Sequence, residues 1–234
     1  GLSALAVCLV DMGQQIGFSN FSEEEFRRRA SHFSRLASGS ACRSVYGGAA
    51  IWGKTQHAAA ASNLYAVPFG GELHEVFRDY CNDILFVSKA EKAVSSSAGH
   101  ELMEGNPFAA ARYAQAEDNL GRLLNALRVG EVDEAGVIIE EEALTLHALM
   151  MSSRPSFVLM QPESLRLIQL VRQWRKSTGL PLYFTLDAGP NLHLLYPKSI
   201  QGQVRAFLKS DLLAYCEGRQ FLADCVGRGA EKLQ

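Results

Sequence analysis

Apolar residues recur every three or four positions over several stretches of this chain, and the pattern breaks at glycine, proline and small polar residues. Leu2, Leu5, Ala6, Leu9 and Val10 share one helical face and predict a helix ending near Gly13. Ser22 followed by Glu23, Glu24 and Glu25 reads as an N-cap with an acidic first turn, opening a helix that runs toward Leu36. The run from Ala37 to Ser44 is too polar for a core strand and too short for a linker, and reads as a loop. After Gly47-Gly48 the chain turns extended: Ala49 to Trp52 predicts a strand, and Ile84 to Ser88 another. Between them, Lys54 to Phe77 carries Asn63, Pro68, Gly70 and Gly71 and reads as an irregular excursion with a short helix.

The second half is more regular. Asn106-Pro107 reads as an N-cap with proline at the first helical position, and Tyr113, Ala116, Leu120, Leu123, Leu124 and Leu127 then mark one face, closed by Gly130. Val132 to Met150 predicts a second helix and Leu165 to Trp174 a third, stopped by Gly179. Leu182 to Leu186 and Leu192 to Tyr196 read as strands joined by the turn residues Asp187-Ala188-Gly189-Pro190-Asn191. Ile200 to Leu213 predicts a last long helix and Gln220 to Val226 a final strand. Helices interleaved with separated strands predict an α+β or α/β chain. The texture changes near residue 95, so the expected domains are 1–94 and 95–234.

Composition narrows the function classes. Of 234 residues, 47% are hydrophobic and 21% charged, a globular balance. Lys and Arg (23) nearly cancel Asp and Glu (25), for a formal net charge of -2, so neither nucleic acid nor an anionic membrane is an expected partner. The longest apolar runs, Leu5 to Val10 and Ala143 to Met151, are far shorter than the roughly 20 residues of a bilayer crossing. The five cysteines (Cys8, Cys42, Cys81, Cys216 and Cys225) show no C-x-x-C spacing, which predicts reduced thiols in a cytoplasmic protein rather than a disulfide framework or a zinc site.

Two loops carry candidate chemistry. In Ser38-Gly39-Ser40-Ala41-Cys42-Arg43, small residues let a ligand approach the backbone, two hydroxyls can donate, and one guanidinium offers a fork for a carboxylate or phosphate. An ordinary turn satisfies the same pattern. In Thr185-Leu186-Asp187-Ala188-Gly189-Pro190-Asn191, an acid ends an apolar strand and faces small residues, the place for a general base held on a rigid element. The plain alternative is that Asp187 only caps the turn.

Elsewhere the signals are weaker. Ser95, Ser96 and Ser97 could donate to a phosphate, though a solvated linker has the same composition. Glu140, Glu141 and Glu142 point in successive directions around a helix and read as a solvated face rather than a metal site. His147, within an apolar stretch, reads as a satisfied core histidine. His32, His57, His74, His100 and His193 share no metal spacing, no metal ligand is assigned, and neither G-x-x-x-x-G-K-[ST] nor G-x-G-x-x-G occurs.

Taken together, Ser38 to Gly48 (SGSACRSVYGG) and Tyr183 to Asn191 (YFTLDAGPN) closely resemble the two signature segments of the diphosphomevalonate decarboxylase family, within the GHMP superfamily of small-molecule kinases. Val94 to Gly99 (VSSSAG) is similar to the serine-rich segment between them. The resemblance runs through nearly the whole chain in matching order.

This resemblance implies a GHMP-kinase-like two-domain α+β fold: residues 1–94 as the remainder of a truncated amino-terminal domain, then a ferredoxin-like α/β-sandwich domain over 95–234. It places the ATP phosphate loop upstream of Gly1, so the cofactor-binding residues are unknown here, and apolar surface is expected to be exposed. The implied reaction is ATP-dependent decarboxylation of mevalonate 5-diphosphate to isopentenyl diphosphate, in isoprenoid biosynthesis, with Mg2+ held by ATP. Asp187 and Arg43 are implied as catalytic: the first orients or deprotonates the 3-hydroxyl, the second grips the substrate carboxylate. Ser38, Gly39, Ser40, Ser95 and Ser96 are the implied substrate-binding residues, and a cytoplasmic homodimer is implied. The rival readings are a related GHMP enzyme that phosphorylates mevalonate or decarboxylates its monophosphate, and a non-catalytic remnant, this chain then being an inactive fragment.

Overall fold

The Ser22 hydroxyl accepts the Glu25 amide at 3.2 Å, so α2 (Glu23–Ala37) opens on a satisfied N-cap with three glutamates in its first turn, as the pattern predicts. The computed structural model describes residues 1–18, 20–89 and 105–230. The expected boundary between residues 94 and 95, and Ser95 and Ser96 themselves, lie outside the described residues. The contacts divide the chain into two compact units, Gly1–Arg78 with Val226–Gln234, and Asp79–Cys225.

In the first unit α1 (Leu2–Gln15) passes through Gly13, where the pattern predicted its end. A single interior glycine costs a helix only about 1 kcal/mol, and the left-handed turn that ends this one is supplied by Gly17, at φ +79°. Of the predicted apolar face only Ala6 and Val10 are buried; Leu2, Leu5, Leu9 and Met12 are 44–57% exposed. Val10 packs with Ala30 of α2 and with Val45. β1 (Ala50–Trp52) pairs antiparallel with β2 (Ala66–Pro68), Ile51 opposite Val67. β2 is three residues long and ends in proline, too short to show alternation, so the segment read as irregular hides a strand. The short helix expected there is α3 (Glu75–Arg78).

In the second unit β3 (Cys81–Leu85) begins three residues before the predicted strand. Cys81, Asp83 and Leu85 all face the core, and a buried aspartate broke the apolar pattern used to place it. Asp83 is tolerated because Arg205 donates to both carboxylate oxygens, at 3.2 and 3.3 Å, and Tyr196 donates its hydroxyl. α4 (Ala109–Val129) starts after Phe108 rather than at Pro107. The Asn106 side chain accepts the Phe108 amide in a turn and donates to the Leu149 carbonyl, tying the turn to α5 (Val132–Met151). α4 ends at Gly130, and α6 (Pro162–Thr178) at Gly179, as predicted.

β4 (Tyr183–Leu186) and β5 (Leu192–Tyr196) form the expected hairpin. The predicted last helix is interrupted: α7 (Gln201–Phe207) widens into a π turn through Leu212 and tightens into a 3₁₀ turn through Tyr215. β6 is only Phe221–Leu222, and beyond it the predicted strand continues as an isolated Cys81–Cys225 bridge, with the Asn82 amide donating to the Asp224 carbonyl at 2.9 Å. The sheet order is β4-β5-β3-β6 with every neighbour antiparallel. With helices between β3 and β4 and between β5 and β6, this is the ferredoxin-like split βαβ arrangement that the resemblance implies, in an α+β chain, with β3 contributed from before residue 95. Phe184, Leu186, Leu192, Leu194 and Tyr196 share one face of the sheet and bury it with Leu167, Val171, Val204 and Leu208. No helix among the described residues is long and apolar enough to cross a membrane.

Candidate functional site

The first candidate loop is not a loop. After α2 ends, Ser38 adopts an extended backbone (φ -159°, ψ 127°) and Gly39–Val45 wind into a 3₁₀ segment. Small residues with no apolar period left no helical signal in the sequence. Ser31, wholly buried on α2, holds this segment from below: its hydroxyl donates to the Cys42 carbonyl and accepts the Ala66 amide, each at 2.9 Å. Arg27 donates to the Val45 carbonyl at 3.0 Å. Gly39 lies against the Trp52 indole, where an added Cβ would stand 2.8 Å from Cη2. Cys42 donates its thiol to the Gly39 carbonyl at 3.0 Å, and burial pushes that thiol up from its usual pKa.

The outcome is a rigid backbone with its polar side chains turned outward. Ser38 is half-buried, and Ser40 and Arg43 are exposed. Arg43 forms no ion pair among the described residues, so its fork of donors faces solvent. The structure therefore brings Ser38, Gly39, Ser40 and Arg43 onto one short turn of the first unit.

Asp187 belongs to the second unit, one residue past β4, and is exposed. The backbone of its turn is held from several sides. The Asp187 carbonyl accepts the Gly189 amide at 2.7 Å and the His147 Nε2 of α5 at 3.1 Å. Ser164, wholly buried in the first turn of α6, donates to the Pro190 carbonyl at 2.7 Å. The Asn191 side chain accepts the Ser88 amide at 3.0 Å. An exposed carboxylate on a backbone fixed by neighbouring elements can accept a proton or stabilise a developing positive charge without first having to be ordered. Ser31, His147 and Ser164 were not singled out as site residues, because their partners are backbone groups, which a sequence motif does not display.

The remaining candidates sort into structural roles. Glu140 is buried, not solvated as predicted: Arg175 binds it at 2.6 Å and Arg172 at 3.3 Å. Glu142 pairs with Arg112 at 2.7 Å, and Glu141 accepts from Gln115 at 2.6 Å, so the three successive carboxylates share no partner. His147, 1% exposed, is the satisfied core histidine the sequence predicts. All five cysteines are free. Among the described residues no group of three His, Cys, Asp or Glu side chains could hold a metal ion. A cavity of about 560 Å³ in the first unit, lined by Glu23, Arg27, Arg28, Tyr46 and Tyr65 among others, contains none of the predicted site residues.

Comparison with known proteins places the chain beside one family. A family model described as "Mevalonate 5-diphosphate decarboxylase C-terminal domain" matches residues 83–228. The diphosphomevalonate decarboxylase of Danio rerio is 28% identical over 161 residues, 68% of this chain and 40% of that protein. The solved mevalonate diphosphate decarboxylase of Staphylococcus aureus is 29% identical with a TM-score of 0.80, covering 99% of this chain and 67% of that one. A structure described as "MDDEF in complex with MVAPP, AMPPCP and Magnesium" is 30% identical with a TM-score of 0.77, covering 98% of this chain and 65% of that one. The chain thus spans less than half the length of the curated relatives it matches.

Proposed function

Because the chain belongs to the mevalonate 5-diphosphate decarboxylase family, we propose that it carries part of the machinery for ATP-dependent decarboxylation of mevalonate 5-diphosphate. The γ-phosphoryl group of ATP passes to the substrate's 3-hydroxyl, and loss of phosphate and carbon dioxide then gives isopentenyl diphosphate. The observation that carries the reading is Asp187: an exposed carboxylate one residue past a strand end, on a turn whose backbone the side chains of His147 and Ser164 hold, with the Asn191 side chain bound to the Ser88 amide. In this reading it orients or deprotonates the hydroxyl, and where it remains ionised the carboxylate also stabilises the positive charge that develops at the adjacent carbon as phosphate leaves.

Arg43 grips the substrate carboxylate through two parallel N–H donors, which aligns the carbon–carbon bond to be broken. Its exposure and lack of an ion-pair partner among the described residues support that role. Ser38 and Ser40 donate to the same substrate on either side of Gly39, which packs against the Trp52 indole; Ser95 and Ser96 join them at the diphosphate. Carbon dioxide departs from the carboxylate that Arg43 holds, so the arginine acts through alignment rather than late stabilisation.

In this reading Mg2+ is held by the phosphates of ATP, as the family resemblance implies, and no protein ligand is assigned to it. A related structure described with AMPPCP and magnesium supports ATP and Mg2+ as ligands of the family. Free thiols support a reducing, cytoplasmic setting, and the homodimer rests on the family resemblance alone.

The test is product analysis on the full-length protein supplied with mevalonate 5-diphosphate, ATP and Mg2+. Release of carbon dioxide with isopentenyl diphosphate is expected, and Asp187→Asn lowers kcat by about 10³-fold or more with KM changed less than about threefold. A stable phosphorylated acid, turnover of mevalonate or its monophosphate instead, or no heat on titration with an ATP analogue each overturns the reading.

A further inference from the structure

His147 was read as a histidine that merely satisfies the core, and the mechanism above does not use it. Its one described bond singles it out. Nε2 lies 3.1 Å from the carbonyl oxygen of Asp187, forty residues away in sequence. A carbonyl only accepts, so Nε2 carries the hydrogen and donates. The same oxygen also accepts the Gly189 amide at 2.7 Å, so both of its lone-pair directions are used. One donor closes the turn locally; the other comes from α5, a 20-residue helix.

With two donors arriving from different directions, the peptide plane that follows Asp187 cannot rotate, and the direction of its Cα–Cβ bond is set with it. At the far end of the turn the Ser164 hydroxyl donates to the Pro190 carbonyl, and the Asn191 side chain accepts the Ser88 amide. His147 is 1% exposed, and Gly136 on the same helix lies against Tyr183 of β4, so the donor is anchored to the strand that ends at Asp187. Burial lowers the His147 pKa from its usual 6.5, against the pull of the Asp187 carbonyl and carboxylate, which favours a neutral ring with a fixed donor.

We infer that His147 is a positioning residue for the proposed reaction: its Nε2–H holds the Asp187 carbonyl, and through it the direction of the carboxylate. This rests on the catalytic reading of Asp187. Displacing a reacting group by about 1 Å can cost on the order of 10²-fold in rate, so removing one of two anchors is expected to appear in kcat.

The experiment uses the full-length enzyme and three variants, each measured for kcat and for KM toward mevalonate 5-diphosphate. His147→Leu fills the same space without a donor, and lowers kcat by about tenfold or more with KM within about twofold. His147→Gln, whose side-chain amide reaches the position of Nε2, recovers kcat to within about threefold of wild type. A loss of core packing alone does not distinguish donor from non-donor, so both variants losing kcat equally overturns the inference, as does His147→Leu at the wild-type rate. If His147→Leu does not fold, His147→Asn replaces it: its amide is too short to reach the carbonyl, so it is slow where Gln is fast, and equal rates overturn the inference. Asp187→Asn is the control. Near-normal turnover in that variant overturns the catalytic reading itself, whatever the His147 variants do.

Discussion

Gly136 of α5 lies directly beneath the ring of Tyr183, so close that a Cβ at position 136 would overlap the ring carbons. The ring is held from its other sides too. The Tyr183 hydroxyl donates to the Asp133 carboxylate at 2.8 Å, and the Arg175 guanidinium sits 4.3 Å from the ring centroid. Burial, with the Asp133 carboxylate beside it, pushes the phenol well above its usual pKa. Gly136 therefore sets the distance between α5 and β4, the strand that ends at Asp187. Alanine would gain up to about 1 kcal/mol of helix propensity but must force helix and strand apart, an overpacking that costs about 1–3 kcal/mol and occasionally more. Gly136→Ala is expected to lower stability by about 1–2 kcal/mol net on those figures. Thermal unfolding checks it, and an unchanged or raised Tm would show that the ring can move aside.

The second prediction concerns the carboxylate that joins α5 to α6. Glu140 is 5% exposed in its side chain and is shared by Arg175 (22%) and Arg172 (48%). Breaking a buried ion pair from one side costs about 3–5 kcal/mol. Here Arg172 reaches water and Arg175 keeps a bond to the Leu182 carbonyl at 2.6 Å, so the penalty is smaller. Glu140→Ala is expected to destabilise by about 2–3 kcal/mol, read from urea unfolding. A change within about 0.5 kcal/mol, the range of ordinary surface substitutions, would place Glu140 among the solvated charges after all.

The contrast between Glu140 and its neighbours shows what kind of information a single sequence carries. Helices α4 to α6 were legible because each has a long 3.6-residue period and a stop signal at its end, both properties of adjacent residues. β3 was misplaced because Asp83 is acceptable in a core only once Tyr196 and Arg205, 113 and 122 residues further on, are in place. The same limit applies at the site. Ser38, Ser40, Arg43 and Asp187 could be singled out as candidates because their functional groups sit in compact segments of recognisable chemistry. Ser31, His147 and Ser164 were not, since what matters about each is a distant backbone atom. The 3₁₀ winding of Gly39–Val45 was hidden for a third reason: it is imposed by Ser31, Arg27 and Trp52 rather than by the segment's own period.

A third prediction follows from how Arg43 is presented. Its segment is fixed by the buried Ser31 and by Gly39 against Trp52, while its guanidinium is exposed and has no ion-pair partner among the described residues. Substitution should therefore change ligand binding and leave the fold intact. Arg43→Lys keeps the charge but replaces a planar fork with a point charge, so it is expected to lower kcat/KM by about tenfold or more with Tm unchanged. Steady-state kinetics beside thermal unfolding separates the two effects; full activity in this variant would count against a bidentate grip on the carboxylate.

The last prediction is a pH dependence of stability with a definite sign. Burial holds the His147 pKa below 6.5, its usual value and that of the unfolded chain, with the Asp187 carboxylate and carbonyl opposing the shift. Above pH 6.5 the ring is neutral in both states, and its titration contributes no difference. As the pH falls through 6.5, the unfolded chain takes up a proton that folded His147 still refuses. The unfolded state then binds more protons, and stability falls as the solution becomes more acid, by at most about 1.4 kcal/mol per pH unit. The loss ends once the pH drops below the folded value and both states are protonated. Glutamine does not titrate, so wild type is expected to lose stability faster than His147→Gln between about pH 6.5 and 5, while the two keep a constant difference between pH 7 and 8. Urea unfolding across that range checks it, and parallel curves throughout would mean that His147 takes up its proton at an ordinary pKa despite its burial.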